Sequence, residues 1–353
     1  MADVGIGHYE TSRPCISNPS RQRHRNSRSG FIPSFFHSFI LKRGVPCPIS
    51  FALPVPRLRE KRRWRWSWRC GWGGEVVSCD SMQIYRGMDI GTAKPTVEEM
   101  RGVPHHLLDV ADPDEAFSVS RYVALADAAV QDIRSRGRLP IVAGGTGLYM
   151  DSLVLGRAFA PFPETGKRQA LEREAEEGGI EPLLARLRAV DPAAAERLHP
   201  SDRKRIIRAL EVYEETGRTI TQHNEESKRL PPKYKALWLG LSFEPRALLY
   251  ERIDRRVLQM MDQGLACEVE GLLARGISPQ ATAMQAIGYK EIAAALCGKC
   301  SMDEAVAAIQ QGSRRYAKRQ LTWFRRNPEL HWLLQPAERT ALEQALDQLK
   351  IES

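Results

Sequence analysis

The hexapeptide Glu75-Val76-Val77-Ser78-Cys79-Asp80 is the strongest indication of the fold class of this chain. Its short apolar run predicts a buried strand that ends at Cys79-Asp80, as in a parallel sheet covered on both faces. A second such run, Leu139 to Ala143, leads into Gly144-Gly145-Thr146-Gly147, which predicts the start of a helix. Between the two runs, Ser120 to Arg134 has helical spacing. Strands that alternate with helices predict an α/β fold with a parallel sheet flanked by helices.

The remainder of the chain extends this pattern. Ser201 to Thr216 predicts another helix, and further strands are expected at Lys235 to Leu241 and Leu330 to Leu334. Residues 160–200 are charged and helical in pattern, which indicates an inserted helical unit. We therefore expect a first core segment at 74–159, the helical insertion at 160–200, a second core segment with a basic C-terminal helix at 201–335, and a tail at 336–353.

Charge is distributed unevenly along the 353 residues. The net charge is +9, but residues 1–74 hold fourteen Lys/Arg and only three Asp/Glu, whereas the remainder holds 38 basic and 40 acidic residues. A nucleic-acid interface must therefore rest on local patches rather than on the overall charge. No run of eighteen apolar residues is present, and the seven cysteines are irregularly spaced, so we expect a cytoplasmic monomer without a membrane segment.

Two features at predicted strand ends suggest chemistry. Asp80 follows a buried strand, and a carboxylate there can accept a proton from a substrate amine; the alternative is a simple helix N-cap. The glycines of the 144–147 turn allow backbone to approach a ligand closely, helix-start N–H groups favour anions, and Thr146 adds a hydroxyl.

Basic residues suggest contacts with phosphate. Lys94 lies in a polar loop and could face phosphate. Arg205 and Arg208 are three apart and share a helix face, Lys204 and Arg208 are four apart, and their side chains could clamp phosphate. The alternative for that helix is a solvated face balanced by acidic residues. A stripe on the last long helix suits a nucleic-acid backbone, although charge alone fits a solvated exterior equally well. Its members are Arg314, Arg315, Lys318 and Arg319.

Other polar residues suggest no metal site. The adjacent His105 and His106 are expected to pack or to hydrogen-bond. Cys297 and Cys300 form a CxxC pair without a second pair, so a four-ligand zinc site is not expected.

Six motifs, in this order, carry a resemblance to a known family. They are Asp80–Pro95 (DSMQIYRGMDIGTAKP), Pro104–His106 (PHH), Gly144–Tyr149 (GGTGLY), Arg208–Val212 (RALEV), Gln285–Lys290 (QAIGYK) and Arg315–Arg325 (RYAKRQLTWFR). Together they closely resemble the bacterial tRNA dimethylallyltransferase family, from about Gly74 to Leu334.

The resemblance implies a P-loop-like α/β core with a helical insertion that grips tRNA. It implies transfer of dimethylallyl from its diphosphate to N6 of the adenine just 3′ of the anticodon, with Mg²⁺ and release of diphosphate. Asp80 matches the general base and Thr146 a substrate-contacting threonine. The tRNA-contacting segments match Asp80, Ser81, Met82 and Gln83, and also Lys204, Arg205, Ile206, Ile207 and Arg208. Arg205 and Arg208, with Lys94, are the expected diphosphate ligands.

The N-terminal part departs from the family pattern. The family opens with a phosphate loop, G-x-T-x-S-G-K-[ST], that binds diphosphate and magnesium, and no such loop precedes Glu75. Instead, residues 62–72 carry four tryptophans among arginines. Read in a shifted frame with permitted codons, Pro54 to Trp72 can encode G-P-T-A-S-G-K-T-A-L-A-L-E-L-A-L-R-L-G. We therefore expect a frameshift near residues 72–74, a non-native or disordered segment at 1–73, and little activity from the chain as it stands.

Three other functions share some of these features. A transferase acting on free adenine nucleotides would not need the helical insertion or the basic stripe. A P-loop kinase would share the core but require a phosphoryl acceptor. A non-catalytic RNA-binding protein would bind without turnover.

Overall fold

The computed structural model describes residues 73–157 and 165–335. The first sheet has three parallel strands, with β1 (Glu75–Cys79) between β2 (His105–His106) and β3 (Pro140–Gly144). All residues of β1 and β3 are buried, as the two apolar runs predict. Because the strands are parallel, the ends of β1 and β3 meet at one edge, where Cys79 pairs with Gly144.

The second sheet has two parallel strands, β4 (Trp238–Phe243) and β5 (Leu330–Gln335). Both strands are predicted from the sequence, but β4 begins three residues later than expected. Just before β4, the Tyr234 backbone N–H donates to the Val154 carbonyl at 3.1 Å, and the pairing with β5 starts at Trp238.

Seven helices belong with the sheets. They are α1 (Val97–Met100), α2 (Val119–Ser135), α3 (Gly147–Val154), α9 (Arg246–Asp262), α10 (Leu265–Ala274), α11 (Tyr289–Leu296) and α12 (Met302–Phe324). A short 3₁₀ turn, Ala283–Gln285, precedes α11. The sequence sets the start of α2, where the Ser118 hydroxyl accepts the Arg121 N–H, and its packing, because Tyr122, Ala126 and Val130 recur four apart on the buried face.

Five helices form a separate helical unit. They are α4 (Lys167–Glu177), α5 (Glu181–Val190), α6 (Pro192–Arg197), α7 (Arg203–Thr216) and α8 (Ile220–Arg229). Leu171, Leu183, Leu187, Ile206 and Leu210 meet in one apolar core. The helical unit therefore includes α7, and the expected boundary near residue 200 falls between helices that share a core.

The two sheets also share an apolar core. Ile141 and Ala143 of β3 pack in one cluster with Leu239 and Leu241 of β4. Among the described residues, however, β3 pairs only with β1 and β4 only with β5. The side chains of the two sheets are in contact while their facing strands are not joined by a hydrogen-bond ladder.

The mixed α/β architecture with parallel strands is thus confirmed. The predictions for residues 1–72 and 336–353 lie outside the described residues. In the ranges that are described, no helix has both the length and the apolar character that crossing a bilayer requires.

Candidate active site

Asp80 lies at the carboxyl end of β1. Its side chain is buried, with 7% of the residue exposed, and Oδ1 accepts the Met82 N–H at 2.9 Å. Residues 81–84 form turns, so no helix begins here and the N-cap alternative is wrong. Oδ2 accepts no hydrogen bond from residues 73–157 or 165–335. One carboxylate oxygen is therefore available to a ligand.

Thr146 lies at the end of the neighbouring strand and contacts Ser81, the residue that follows Asp80. Its hydroxyl accepts the Ser81 N–H at 3.0 Å and donates to the Ser81 hydroxyl at 3.3 Å. The structure therefore brings together two of the residues expected in the site, although they are 66 positions apart in the chain. The Ser81 hydroxyl retains donor capacity toward a ligand.

The glycine turn at 144–147 serves packing within the protein. A Cβ on Gly144 would lie 1.8 Å from the Cys79 carbonyl oxygen, and the N–H groups of Gly145 and Thr146 both donate to that oxygen. These amides therefore do not point to an anion, contrary to the reasoning from the sequence. A Cβ on Gly147 would lie 2.3 Å from the Trp323 ring, so α12 also packs closely on the turn.

Gln83 has a side chain that is fully used within the protein. Its Nε2 donates to the carbonyls of Thr92 and Ala93 at 3.2 and 3.1 Å, and its Oε1 accepts the Ser78 hydroxyl at 3.1 Å. It ties the end of the loop after β1 back to the strand. Its expected contact with tRNA is therefore not available to its side-chain amide in this arrangement.

Lys94, expected to bind diphosphate, instead holds the same loop closed. Its ammonium donates to the Tyr85 carbonyl at 2.8 Å, to Asp89 at 2.6 Å and to Asp109 at 2.5 Å. An ammonium has three donors, and all three are engaged. To bind diphosphate as predicted, the buried Lys94 ammonium would have to give up one of its pairs with the partly exposed Asp89 and Asp109.

A cavity of about 290 Å³ opens beside Ser81 and Met82. Its lining combines the loop after β1 with α9, the 285–290 segment and α12. The positive side chains in it are Arg256, Lys290 and Arg319. Sequence reasoning missed the first two as site residues, although the motif Gln285–Lys290 was a signal for the segment. The cavity suits an anionic ligand with an apolar part, since Ile253, Val257 and Ile309 also line it.

In α3, one aromatic residue and one acidic residue, Tyr149 and Asp151, have pKa values that burial raises. Tyr149 stacks on Tyr122 with ring centroids 4.2 Å apart, and burial raises its pKa, so it stays a neutral phenol. Burial also raises the pKa of Asp151, whose carboxylate accepts the Trp323 indole N–H at 2.9 Å. The stacked rings join α3 to α2, and the hydrogen bond from Trp323 joins α12 to α3.

The 204–208 segment of α7 divides into two faces. Ile206 and Ile207 are 0% and 3% exposed in the core of the helical unit, so their side chains cannot contact tRNA as expected. Lys204 and Arg205 are exposed, and Arg208 pairs with Glu211 at 2.8 Å. Only the basic residues of the segment remain candidates for phosphate contacts.

The basic stripe of α12 is largely on the surface. Arg315, Lys318 and Arg319 are exposed, and the Arg319 guanidinium lies 5.7 Å from the centre of the Tyr316 ring. Arg314 instead pairs with Asp254 of α9. Three of the four predicted residues are therefore placed to meet an RNA backbone, and Arg319 also reaches the cavity.

The remaining candidates are consistent with structural roles. His106 Nε2 lies 2.7 Å from Glu75, and His105 Nδ1 lies 2.8 Å from the Val103 carbonyl. Within the described ranges no three His, Cys, Asp or Glu side chains cluster as metal ligands, and Cys297 and Cys300 are free thiols.

The chain is similar to known proteins over most of its length. The family model described as IPP transferase matches residues 83–327. A tRNA dimethylallyltransferase of Geobacter sulfurreducens is 51% identical over 265 residues, covering 75% of this chain and 85% of the relative. One from Desulforudis audaxviator is 50% identical over 289 residues, covering 82% and 92%.

Solved structures give the same result. The tRNA isopentenylpyrophosphate transferase of Bacillus halodurans superposes with a TM-score of 0.63 at 38% identity, covering 86% of this chain and 95% of that one. A eukaryotic dimethylallyltransferase acting on tRNA superposes with a TM-score of 0.72 at 27% identity, covering 86% and 77%. The resemblance inferred from the motifs is confirmed, and the chain belongs to the IPP transferase family.

Proposed function

We propose that this protein is a tRNA dimethylallyltransferase that prenylates N6 of the adenine 3′ to the anticodon, with dimethylallyl diphosphate as donor. The observation that carries the proposal is the buried Asp80 carboxylate, which directly precedes Ser81 and Met82 in the chain, and these two residues line a cavity with positive side chains. The names of the relatives in the family support tRNA as the acceptor.

The chemistry requires such a carboxylate. An exocyclic adenine amine is a poor nucleophile, so the base must be extruded from the RNA, oriented and deprotonated. A bond forms between N6 and the first prenyl carbon as the bond from that carbon to the diphosphate oxygen breaks. The N6 proton passes to Asp80, and the diphosphate leaves with its electron pair, stabilised by Arg256, Lys290 and Arg319.

The basic surface favours RNA over a free nucleotide. Arg315 and Lys318 are exposed on α12, next to Arg319 at the cavity. A nucleotide would fill the cavity without reaching this surface, whereas an RNA backbone needs several cations along its path. An assay with AMP beside tRNA distinguishes the two acceptors: we expect prenylation of tRNA alone.

A P-loop-like core is the finer fold that we propose. A sheet of this class would be continuous, and one additional parallel strand between β3 and β4 would join the two observed sheets. The packing of β3 and β4 side chains in one core supports this arrangement. The shifted frame of residues 54–72 would encode the phosphate loop and its helix just before β1, and a chain lacking them would hold diphosphate poorly.

Magnesium remains a proposal that the described residues do not support on their own. Those residues contain no cluster of three His, Cys, Asp or Glu side chains. A magnesium ion would therefore depend on diphosphate oxygens and on a phosphate loop outside the described ranges. No step of the reaction above is assigned to it.

The experiment that tests the function compares two proteins. One is the chain as it stands, and the other carries the restored reading frame. We expect transfer of labelled dimethylallyl to tRNA only with the restored protein. Robust turnover by the present chain would contradict the frameshift hypothesis, and so would gene codons that cannot encode G-K-[ST] in the shifted frame. No transfer by the restored protein would contradict the proposed function.

A further inference from the structure

Glu268, in the first turn of α10, is bonded to the loop that follows Asp80. Its Oε2 accepts the backbone N–H groups of Asp89 and Ile90 at 2.9 and 2.8 Å, and its Oε1 accepts the Gly91 N–H at 3.2 Å. Three successive amides that converge on one carboxylate form an anion-binding nest. Here the anion in the nest is a side chain of the protein itself.

The same carboxylate also contacts the opposite wall of the cavity. The Tyr289 hydroxyl donates to Oε1 of Glu268, and Tyr289 directly follows Gly288, which lines the cavity together with Gly91. A Cβ on Gly91 would lie 2.4 Å from the Tyr289 ring, so the loop and α11 are in direct contact. Glu268 therefore joins two walls of the cavity through four hydrogen bonds.

The loop transmits this constraint to the residues beside Asp80. Gln83 ties the loop end at Thr92 and Ala93 back to Ser78 of β1, which closes the loop on itself. Moving residues 89–91 would therefore displace the start of the loop, where Ser81 and Met82 line the cavity. Glu268 on α10 and the end of β1 are therefore connected through the hydrogen bonds of this loop.

We propose that Glu268 is a positioning residue: it holds the 89–91 loop against Tyr289 and so keeps Ser81 and Met82 in the geometry that receives the adenine. It acts through backbone amides and takes no part in the proton transfer. The inference rests on the proposed function for the identity of the bound base. Its anchoring role concerns the protein alone and can be measured without RNA.

Amide hydrogen exchange tests the anchoring role. In Glu268→Ala, we expect the amides of residues 89–91 to exchange at least about 10-fold faster, because each loses its acceptor. Glu268→Gln keeps one acceptor oxygen, so its exchange rates at these amides should lie between those of the wild type and those of Glu268→Ala. Glu270→Ala is the matched control, since Glu270 is exposed two positions along the same helix. Unchanged exchange at residues 89–91 in Glu268→Ala would overturn the inference.

Base placement tests the positioning role. An anticodon stem-loop RNA with 2-aminopurine at the target adenine should gain fluorescence when the base is extruded into the cavity. With Glu268→Ala, we expect the RNA Kd to stay within about threefold, because the basic stripe is intact, while the fluorescence gain falls by at least about half. Sodium acetate, filling the emptied nest, should restore both the gain and the amide protection.

The outcomes separate the two proposals. A full fluorescence gain in Glu268→Ala, with the wild-type signal present, overturns the positioning role alone. If Glu268→Ala loses RNA affinity but keeps the same fluorescence gain per bound RNA, the positioning role is also overturned. Absence of RNA binding by the restored-frame protein overturns the proposed function, while amide exchange still decides whether Glu268 anchors the loop.

Discussion

The Ser81 backbone N–H donates to the Thr146 hydroxyl at 3.0 Å, which joins the ends of two neighbouring parallel strands where the reaction is proposed to occur. The bond fixes the first residue after Asp80. Any geometry that the carboxylate presents to a substrate therefore depends on a side chain from β3's end as well as on β1.

Thr146→Val should lower kcat without unfolding the protein. Valine has the same shape but leaves the Ser81 amide without its acceptor, so we expect a loss of about 10-fold in the restored-frame enzyme. Thr146→Ser keeps the hydroxyl and should retain most of the activity. Steady-state prenylation of tRNA measures both. Equal rates for the valine and wild-type enzymes would show that the bond does not matter for the reaction.

Gly144→Ala should destabilise the fold. The new Cβ would lie 1.8 Å from the Cys79 carbonyl oxygen, which is backbone and cannot move without separating β1 from β3. We expect a loss of about 3 kcal/mol or more in the free energy of unfolding. Gly271→Ala, in the open middle of α10, is the control and should be neutral or stabilising by up to about 1 kcal/mol. Urea unfolding would refute the prediction if the two variants were equally stable.

Glu75 should make stability depend on acid pH. The hydrogen bond from Arg136, then that from His106, lowers the pKa of this 1% exposed carboxyl from 4.5 to about 2, against the opposing effect of burial. A lowered folded-state pKa gives stability that is present above pH 4.5 and is lost as the pH falls toward 2. Urea unfolding between pH 7 and pH 2.5 should show this decline.

Glu75→Gln tests the cause of that decline. The variant should lose on the order of 2 kcal/mol at pH 7, less than for a fully buried pair, because Arg136 and Arg138 are partly exposed. Its stability should also fall less steeply in acid than that of the wild type. Glu270→Gln, an exposed substitution, should leave both unchanged. An equally steep acid decline in Glu75→Gln would assign the effect to other carboxylates.

The basic stripe should contribute affinity rather than catalysis. Replacing both Arg315 and Lys318 by alanine should weaken tRNA binding and reduce the slope of log K against log salt by about 1 for each phosphate that is no longer neutralised. When the substitutions are made in the restored-frame protein, single-turnover transfer at saturating tRNA should stay near the rate of the unsubstituted restored-frame protein. Lys299→Ala is the control, because Lys299 is exposed in the loop that precedes α12 and not on the helix itself. An unchanged salt slope in the double variant would place the RNA elsewhere.

Sequence patterns were sufficient for the strands that carry the site. β1, β3 and the helix between them follow from local hydrophobic runs and spacing, and the position of Asp80 at a strand end follows from β1. The roles of Gln83 and Lys94 did not follow, because their partners Thr92 and Asp109 are brought close only by the loop fold. A positive charge in a polar loop predicts a phosphate ligand and an ion pair within the loop equally well.

The cavity itself could not be predicted from the sequence either. Its wall combines Ser81 with Arg256 and Lys290, which belong to separate helices more than 170 residues along the chain. The buried face of α7 can be predicted from the sequence, since Ile206, Ile207 and Leu210 have the spacing of a helix core. This amphipathic pattern restricts the RNA contacts of the 204–208 segment to its basic residues.

The rate of a single turnover with Asp80→Asn shows whether Asp80 takes up the N6 proton. The measurement uses the restored-frame protein in excess over tRNA at saturating donor, and asparagine preserves the hydrogen bond to Met82 while it cannot take up the N6 proton. We expect the transfer rate to fall by at least about 100-fold with tRNA affinity unchanged. A rate within about twofold of wild type would contradict the assignment of Asp80 as the base.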